Sequence, residues 1–279
     1  MHISQKKLRC IFNTKKKAPQ KKKKKAPPKL LNMVLLRGLF QSCCLFLLIF
    51  VVCCIPPEDP IKCSSDNTDC TITNSYGAFP DRSICRAAEV AFPSTEQELI
   101  SIVSKASRNK RKMKVATRYS HSIPKLVCLD GQDGLLISTK YLNRTLKVDV
   151  EAMTITVESG VTLRQLINEA AKAGLALPYT PYWWGLTIGG LLSTGAHGST
   201  LWANGSSVHD YLVELRIVTP GFAGFARVRS LKDGDKDFTA AKVSLGVLGV
   251  ISQVCFVIWC TCLKWWVSIV LHIYIWCFL

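Results

Sequence analysis

Several signals that commonly disclose a protein's chemistry are missing from this sequence. No G-x-x-x-x-G-K-[ST] run is present and no G-x-G-x-x-G opens a helix, which excludes the usual loops for cradling a nucleotide phosphate. No C-x-x-C pair and no His-x-x-x-His accompanies the cysteines, which argues against a zinc site. There is no internal repeat, so a solenoid or propeller is not expected. Acidic residues are absent from the first 30 positions, which hold 12 of the 36 Lys and Arg. The formal charge of +17 therefore belongs mostly to one end, and the remainder carries 24 basic against 19 acidic residues.

What is present at that end is a solvated tail. The run KKKAPQKKKKKAPPK, Lys15 to Lys29, repels itself, is broken by proline and has almost nothing to bury, so residues 1–32 are expected to be disordered. It lacks interleaved aromatics, and no nucleic-acid partner is expected. Met33 opens MVLLRGLFQSCCLFLLIFVVCCIPPEDP, which has a basic Arg37, an apolar stretch to Ile55 and a proline pair, the layout of a secretory signal. Two readings of 33–56 stay open, a cleaved signal, which is preferred, and an uncleaved membrane anchor. On the first, the natural start is Met33.

An oxidising compartment fits the cysteines. Cys63, Cys70, Cys85 and Cys128 lie in the body of the chain, three of them flanking the polar segment CSSDNTDCTITNSYGAFPDRSIC, where a cross-link helps most. Four cysteines allow three pairings, and spacing does not choose among them. Asn143 in NRT and Asn204 in NGS are glycosylation acceptors, consistent with secretion.

From about Ala87 strand and helix signals alternate. AAEVAF predicts a strand, and PSTEQELISIVSKASRNK predicts a helix capped by Ser94 or Thr95, with Gln97 or Glu98 as capping-box partner and a stripe Leu99, Ile102, Val103, Ala106. KMKVAT then resumes a strand, giving a β-α-β unit with parallel pairing through the helix. GLLIST predicts a further strand. LKVDVEAMTITVESG predicts a hairpin about Glu151 and Ala152, and VTLRQLINEAAKAG a helix with a Thr162/Gln165 capping box that stops at Gly174. YLVELRIVT and GFARVRSL predict a second hairpin. The fold class is α+β. At the far end composition changes abruptly at Cys255, and residues 255–279 are expected to be either an aberrant end, which is preferred, or a transmembrane segment burdened by Lys264.

Two stretches carry candidate chemistry. In KVATRYSHSIPKL a strand runs into a turn at Thr117 to Ser122, where converging N–H groups and the hydroxyls of Thr117, Ser120 and Ser122 can receive an anion and His121 offers a neutral ring nitrogen. A solvent-facing loop histidine is the plain alternative. In PYWWGLTIGGLLSTGAHGST, Gly189 and Gly190 let backbone lie against a ligand, and Ser193, Thr194, Gly195 and Gly198 form a second bare stretch about His197. The Trp183/Trp184 pair is expected to be core.

Read in order, FPSTEQEL, VATRYSHSIPKLVC, LRQLINEAAKAGLALPYTPYWWGLTIGGLLSTGAHGS and AAKVSLGVLGVISQV resemble the FAD-binding domain of the vanillyl-alcohol oxidase (PCMH) type, specifically that of plant L-gulonolactone oxidases. CSSDNTDCTITNSYGAFPDRSICRAA resembles the cysteine-bearing segment that precedes the domain in that group. The resemblance implies two α+β subdomains gripping an extended FAD over residues 86–254, preceded by a cysteine-containing extension at 57–85. It matches His121 to the histidine that bonds covalently to the flavin in many relatives, although Arg118, Tyr119 and Ser120 stand where those relatives commonly have glycines. It matches Thr187, Ile188, Gly189, Gly190, Ser193, Thr194, Gly195, His197 and Gly198 to a second cofactor-contacting stretch, and Gly249, Val250 and Ile251 to a third. The implied activity is oxidation of L-gulono-1,4-lactone or a related aldonolactone by O2, giving ascorbate and hydrogen peroxide. The cap domain that shapes the lactone site in the family is not matched, so no substrate-binding residue is assigned, no metal is expected, and a silent FAD-binding or membrane-tethered fragment is the competing reading.

Overall fold

The computed structural model describes Gln41 and residues 59–74, 76–118, 123–129, 133–198 and 207–260. The basic run, the leader at 33–56 apart from Gln41, Tyr119 to Ser122, Asn204 and residues 261–279 lie outside the described residues. The chain divides into a unit ending at Pro56 and a unit from Pro57 onward that holds the named elements.

The first sheet begins in the cysteine-bearing segment. β1 (Ile61–Ser65), β2 (Thr68–Ile72) and β3 (Cys85–Ala91) run antiparallel, so this segment extends the sheet of the residues that follow it. Cys63 and Cys70 face each other across β1 and β2 and are bonded, and Cys85 of β3 is bonded to Cys128, which selects one of the three pairings. Helix α1 (Glu96–Arg108) then leads to β4 (Met113–Ala116). Its cap uses both predicted residues: Thr95 Oγ1 accepts the Glu98 N–H at 3.1 Å, while the Glu98 carboxylate accepts the Ser94 N–H at 2.8 Å. Leu99, Val103 and Ala106 are buried beneath it.

β3 and β4 do not pair with each other. β5 (Leu135–Ser138) inserts between them, parallel to both, giving the order β1-β2-β3-β5-β4. Its composition explains the place: all four residues are buried, as a strand covered on both faces requires, whereas β4 is mostly half-buried.

The second sheet is antiparallel throughout. It comprises β6 (Thr145–Asp149), β7 (Thr154–Glu158), β9 (Leu212–Pro220), β10 (Ala226–Lys232) and β11 (Val250–Val257), in the order β10-β9-β11-β7-β6. Both predicted hairpins form, and β11 joins them edge to edge. Helix α3 (Leu163–Lys172) covers this sheet and has the Thr162/Gln165 capping box, with Gly174 at φ 72° beyond its end. The short pair β8 (Leu175–Ala176) and β12 (Trp259–Cys260) closes one end. The change of composition at Cys255 is not a structural boundary. β11 runs through Cys255 to Val257, and Phe256 and Ile258 are fully buried, continuing the alternation set by Val254. Among the described residues no helix is long and apolar enough to cross a membrane.

The two sheets share an apolar core around α1, in which Leu99, Val103, Leu135, Ile137, Val218 and Val250 are buried together, and a polar seam lies at the start of that helix. Glu96, at the start of α1, accepts Arg216 Nε at 3.1 Å and Nη2 at 2.7 Å, together with the hydroxyl of fully buried Ser252 at 2.6 Å. The Arg216 bonds hold the Glu96 carboxyl below its ordinary pKa, burial opposes them, and Ser252 adds to the lowering. A second crossing lies at Gly160: its N–H reaches Leu142 O at 2.7 Å, and a Cβ there would stand 2.1 Å from Thr139 O.

Because the Glu96 pKa is depressed in the fold, the network's stabilisation is present above the unfolded carboxyl's value of 4.5 and is lost as pH falls through the lower folded value. Glu96→Gln is expected to lower stability at pH 7 by roughly 1–3 kcal/mol, the size of a charge-assisted hydrogen bond, and to flatten the acid limb of melting temperature against pH. An unchanged acid limb would show that the seam is held by other contacts.

Candidate functional site

A cavity of about 260 Å³ opens where the seam ends. One wall comes from the first sheet: Val115 and Ala116 of β4, Thr117 just after it, Leu126 and Val127 of α2 (Pro124–Val127), and Thr139 beyond β5. The other wall follows the second sheet: Ser159 after β7, Thr187, then Gly189, Gly190 and Ser193 of α4 (Ile188–Ser193), with Gly249 and Ile251 at the start of β11. The volume lies just below the roughly 300 Å³ at which small-molecule clefts begin, so it holds part of a dinucleotide and not all of it.

Three residues of the cavity lining carry buried, unpaired hydroxyls. Thr139 Oγ1, Ser159 Oγ and Thr187 Oγ1 all belong to its lining residues, are buried, and have no hydrogen-bond partner among the described residues. Each unmade bond of this kind costs about 1–3 kcal/mol, a penalty present in the fold as it stands. Among the described lining residues there is no Asp, Glu, Lys, Arg or His. The described walls therefore hold a ligand by shape, hydroxyls and ring contact.

The bare backbone contributes surface more than donors. The Ile188 N–H is spent on Val161 O and the Gly189 N–H on Ser159 O, at 2.8 and 2.7 Å. Gly190 matters through its missing Cβ, which would stand 3.2 Å from Thr187 Oγ1 and 3.3 Å from Thr117 Oγ1, in the mouth of the cavity wall. Thr194 lines the cavity too, but its hydroxyl donates back to Gly190 O at 2.8 Å.

Of the residues singled out from sequence, Thr117, Thr187, Gly189, Gly190, Ser193, Thr194, Gly249 and Ile251 line one cavity although they come from three distant stretches. Others in those stretches have different work. Ile188 and Val250 are buried in the cores, at 0% and 4% exposure. Gly195, at φ 63°, stops α4: its N–H bonds Leu192 O and the next N–H, from Ala196, bonds Leu191 O, the pairing of a Schellman end. Gly198 is required by packing, since a Cβ would stand 2.2 Å from the Tyr179 ring. His197 is exposed, with Nδ1 3.2 Å from Gly198 O, and is bridged through backbone to Ser207. Arg118 is exposed beside Thr117, and Tyr119, Ser120, His121 and Ser122 lie outside the described residues.

Sequence reasoning missed part of the wall. Thr139 and Ser159 are single hydroxyls at strand ends, with no motif to flag them. Asn74 and Tyr76 belong to the cysteine-bearing segment and also line the cavity. The Trp pair is not core, because Trp183 is 41% and Trp184 47% exposed, and Trp183 faces the cavity.

Residues 87–221 match the FAD binding domain family. The chain is 70% identical over 203 residues to a probable L-gulonolactone oxidase 6 and 67% identical over 205 residues to L-gulonolactone oxidase 5, both of Arabidopsis thaliana; these alignments take in 71% and 72% of this chain. An L-gulono-1,4-lactone dehydrogenase of Mycobacterium tuberculosis is 34% identical over 179 residues, 64% of this chain and 39% of that protein. The chain spans about a third of the length of the plant relatives, 34% and 35% of the two named. Among solved structures, a cholesterol oxidase from Brevibacterium sterolicum superposes with a TM-score of 0.58 at 21% identity, over 74% of this chain and 40% of that one. An alkyldihydroxyacetonephosphate synthase gives 0.54 at 21% identity over 62% and 34%. These likenesses show the fold, which is the α+β FAD-binding type.

Gly190→Val places two methyl groups between the Thr117 and Thr187 hydroxyls. Made together with His121→Ala so that no flavin is bonded covalently, the variant is expected to keep its circular dichroism spectrum and to bind FAD at least about tenfold more weakly than His121→Ala alone, a loss of about 1.4 kcal/mol, as titration of the flavin-free chains with FAD would measure. Equal affinity would place the cofactor elsewhere.

Proposed function

From the match of residues 87–221 to the FAD binding domain family, we propose that the chain holds FAD in the seam cavity as part of an aldonolactone oxidase. The observation that carries the reading is the meeting, in one cavity, of three unpaired buried hydroxyls with the bare Gly189–Gly190 backbone. Thr139, Ser159 and Thr187 would border the cofactor, their hydroxyls turning toward its acceptor atoms, and Gly189 and Gly190 would lie against it. Bound FAD supplies a two-electron acceptor that O2 can reoxidise. The substrate is L-gulono-1,4-lactone or a relative such as D-arabinono-1,4-lactone. It gives up two electrons and two protons to become ascorbate or its analogue, and O2 takes both to become hydrogen peroxide. Support for that substrate and reaction comes from the names of the plant relatives, which are L-gulonolactone oxidases.

His121 is the residue we assign to covalent attachment, through a neutral ring nitrogen that can act as nucleophile. The chain purified after expression with FAD is expected to be yellow and to keep flavin fluorescence on a denaturing gel, whereas His121→Ala keeps the colour in the native state and loses the denatured band. Flavin that washes out of both removes the covalent role, and a chain that stays colourless with FAD supplied removes the cofactor reading. Lactone-dependent peroxide is tested in protein of the relatives' full length.

We place the chain in the secretory pathway, with membrane attachment through 33–56 or 261–279 as the alternative to full secretion. The reading is supported by the pairs Cys63–Cys70 and Cys85–Cys128 and by Asn143, which is exposed ahead of β6 in the sequence NRT. Expressed in a eukaryotic secretory host, the chain should lose mass on removal of N-glycans, and Asn143→Gln should lose one glycan. A single unglycosylated species would count against secretion.

A further inference from the structure

The residues that precede the family match reach into the cavity. Asn74 and Tyr76 line it, yet both lie before residue 87, where the match begins. They sit on a built turn. Asn74 is 3% exposed, and its Oδ1 accepts the Tyr76 N–H at 2.9 Å. Its carbonyl accepts the Gly77 N–H at 3.0 Å, and Gly77, at φ 83°, takes the left-handed conformation that glycine adopts without strain. Just beyond, Phe79 is buried in the core with Cys70, Ile72 and Val127. The Cys63–Cys70 and Cys85–Cys128 bonds fasten the strands on either side. The backbone at Tyr76 is thus fixed from several directions while its side chain is 80% exposed at the cavity, whose lining includes a second aromatic residue, Trp183.

A turn anchored this firmly and presenting a solvent-facing ring at a ligand cavity is suited to stacking, because a rigid aromatic loses little conformational entropy when it covers a flat ligand. We propose that Tyr76 stacks on a planar ring of bound FAD, so that the cysteine-bearing segment completes a site the matched domain leaves open. The inference rests on the reading that the chain binds FAD. FAD carries two ring systems with this chemistry, isoalloxazine and adenine, and their fragments tell them apart.

The test titrates FAD, riboflavin and ADP separately into the 279-residue chain carrying His121→Ala and stripped of flavin, which serves as wild type at position 76, and into Tyr76→Ala and Tyr76→Phe made in that same background. Since Tyr76 is mostly exposed, truncation should leave the circular dichroism and melting temperature unchanged. Wild type and Tyr76→Phe are expected to bind FAD alike, and Tyr76→Ala about tenfold more weakly, within the range for one lost ring–aromatic stack. A matching loss for riboflavin assigns the isoalloxazine, and one for ADP the adenine. Tyr76→Ala that binds all three as wild type does overturns the stack and leaves FAD binding standing. A wild-type chain that binds none of them overturns the cofactor reading itself, and the stack with it.

Discussion

Beside the apolar cluster that the two sheets share around α1, one carboxylate reaches from one layer to the other, and its contacts run on toward the cavity. Glu96 starts a helix of the first sheet's layer and binds Arg216 on β9 and Ser252 on β11. Ionised acceptors make shorter and stronger bonds than neutral ones, and here three donors converge on one group from the opposite sheet. The chain of contacts continues inward. Ser252 O accepts the Ser159 N–H at 3.0 Å, and Ser159 O accepts the Gly189 N–H at 2.7 Å. Three links therefore connect the cap of α1 to the bare backbone of the cavity wall. A second carboxylate, Glu158, lies immediately before Ser159 with its side chain 2% exposed, paired to Arg144 through both oxygens. The backbone of Ser159 is thus held from both directions, by Ser252 and by the Glu158–Arg144 pair that precedes it.

The glycines of the site divide by what a Cβ would strike. At Gly160 and Gly249 it would strike backbone oxygen, at 2.1 Å from Thr139 O and 2.5 Å from Val218 O, so these positions serve the approach of one sheet's connections to another strand. At Gly190 the nearest atoms are the hydroxyls of Thr187 and Thr117, side chains of the cavity itself. Glycine at the first two positions is a condition of folding, whereas at Gly190 it keeps space open. Within the run that holds Gly190 the two kinds also mix, since Gly198 is required by packing against Tyr179 while Gly190 borders the cavity, and sequence alone cannot separate them because both read as the same letter.

How much was legible follows from range. The Thr162/Gln165 box, the Ser94–Glu98 cap and the two hairpins depend on residues within a few positions of each other, and they form as read. The insertion of β5 between β3 and β4, and of β11 between the hairpins, depends on pairings between distant segments. Buried LLIS in β5 is the trace that pairing leaves, visible once one asks which strand can tolerate cover on both faces. The apparent break at Cys255 misled because composition was judged over a window that ran past β12, whereas the alternation of Val254, Phe256 and Ile258 keeps its period. The glycine-rich stretches were legible as a site because bare backbone is costly. Thr139 and Ser159 were not, since a lone hydroxyl becomes informative only when burial shows that nothing else satisfies it.

The absence of charge on the described wall bears on how a dinucleotide would lie. A diphosphate carries negative charge that is expensive to strip of water without cations or aligned N–H donors, and the described walls offer hydroxyls and rings with no charged side chain. The amides of Ile188 and Gly189 are already spent inside the protein. Rings and polyol are the parts of the cofactor that such a wall suits: hydroxyls pair with hydroxyls and ring nitrogens, and aromatic faces cover aromatic faces. Arg118, exposed directly after Thr117, is a charged side chain next in sequence to this wall. On the proposed reading, the backbone at Gly189 and Gly190 suits the flat, neutral part of the cofactor, because it presents neither charge nor free amides of Ile188 and Gly189.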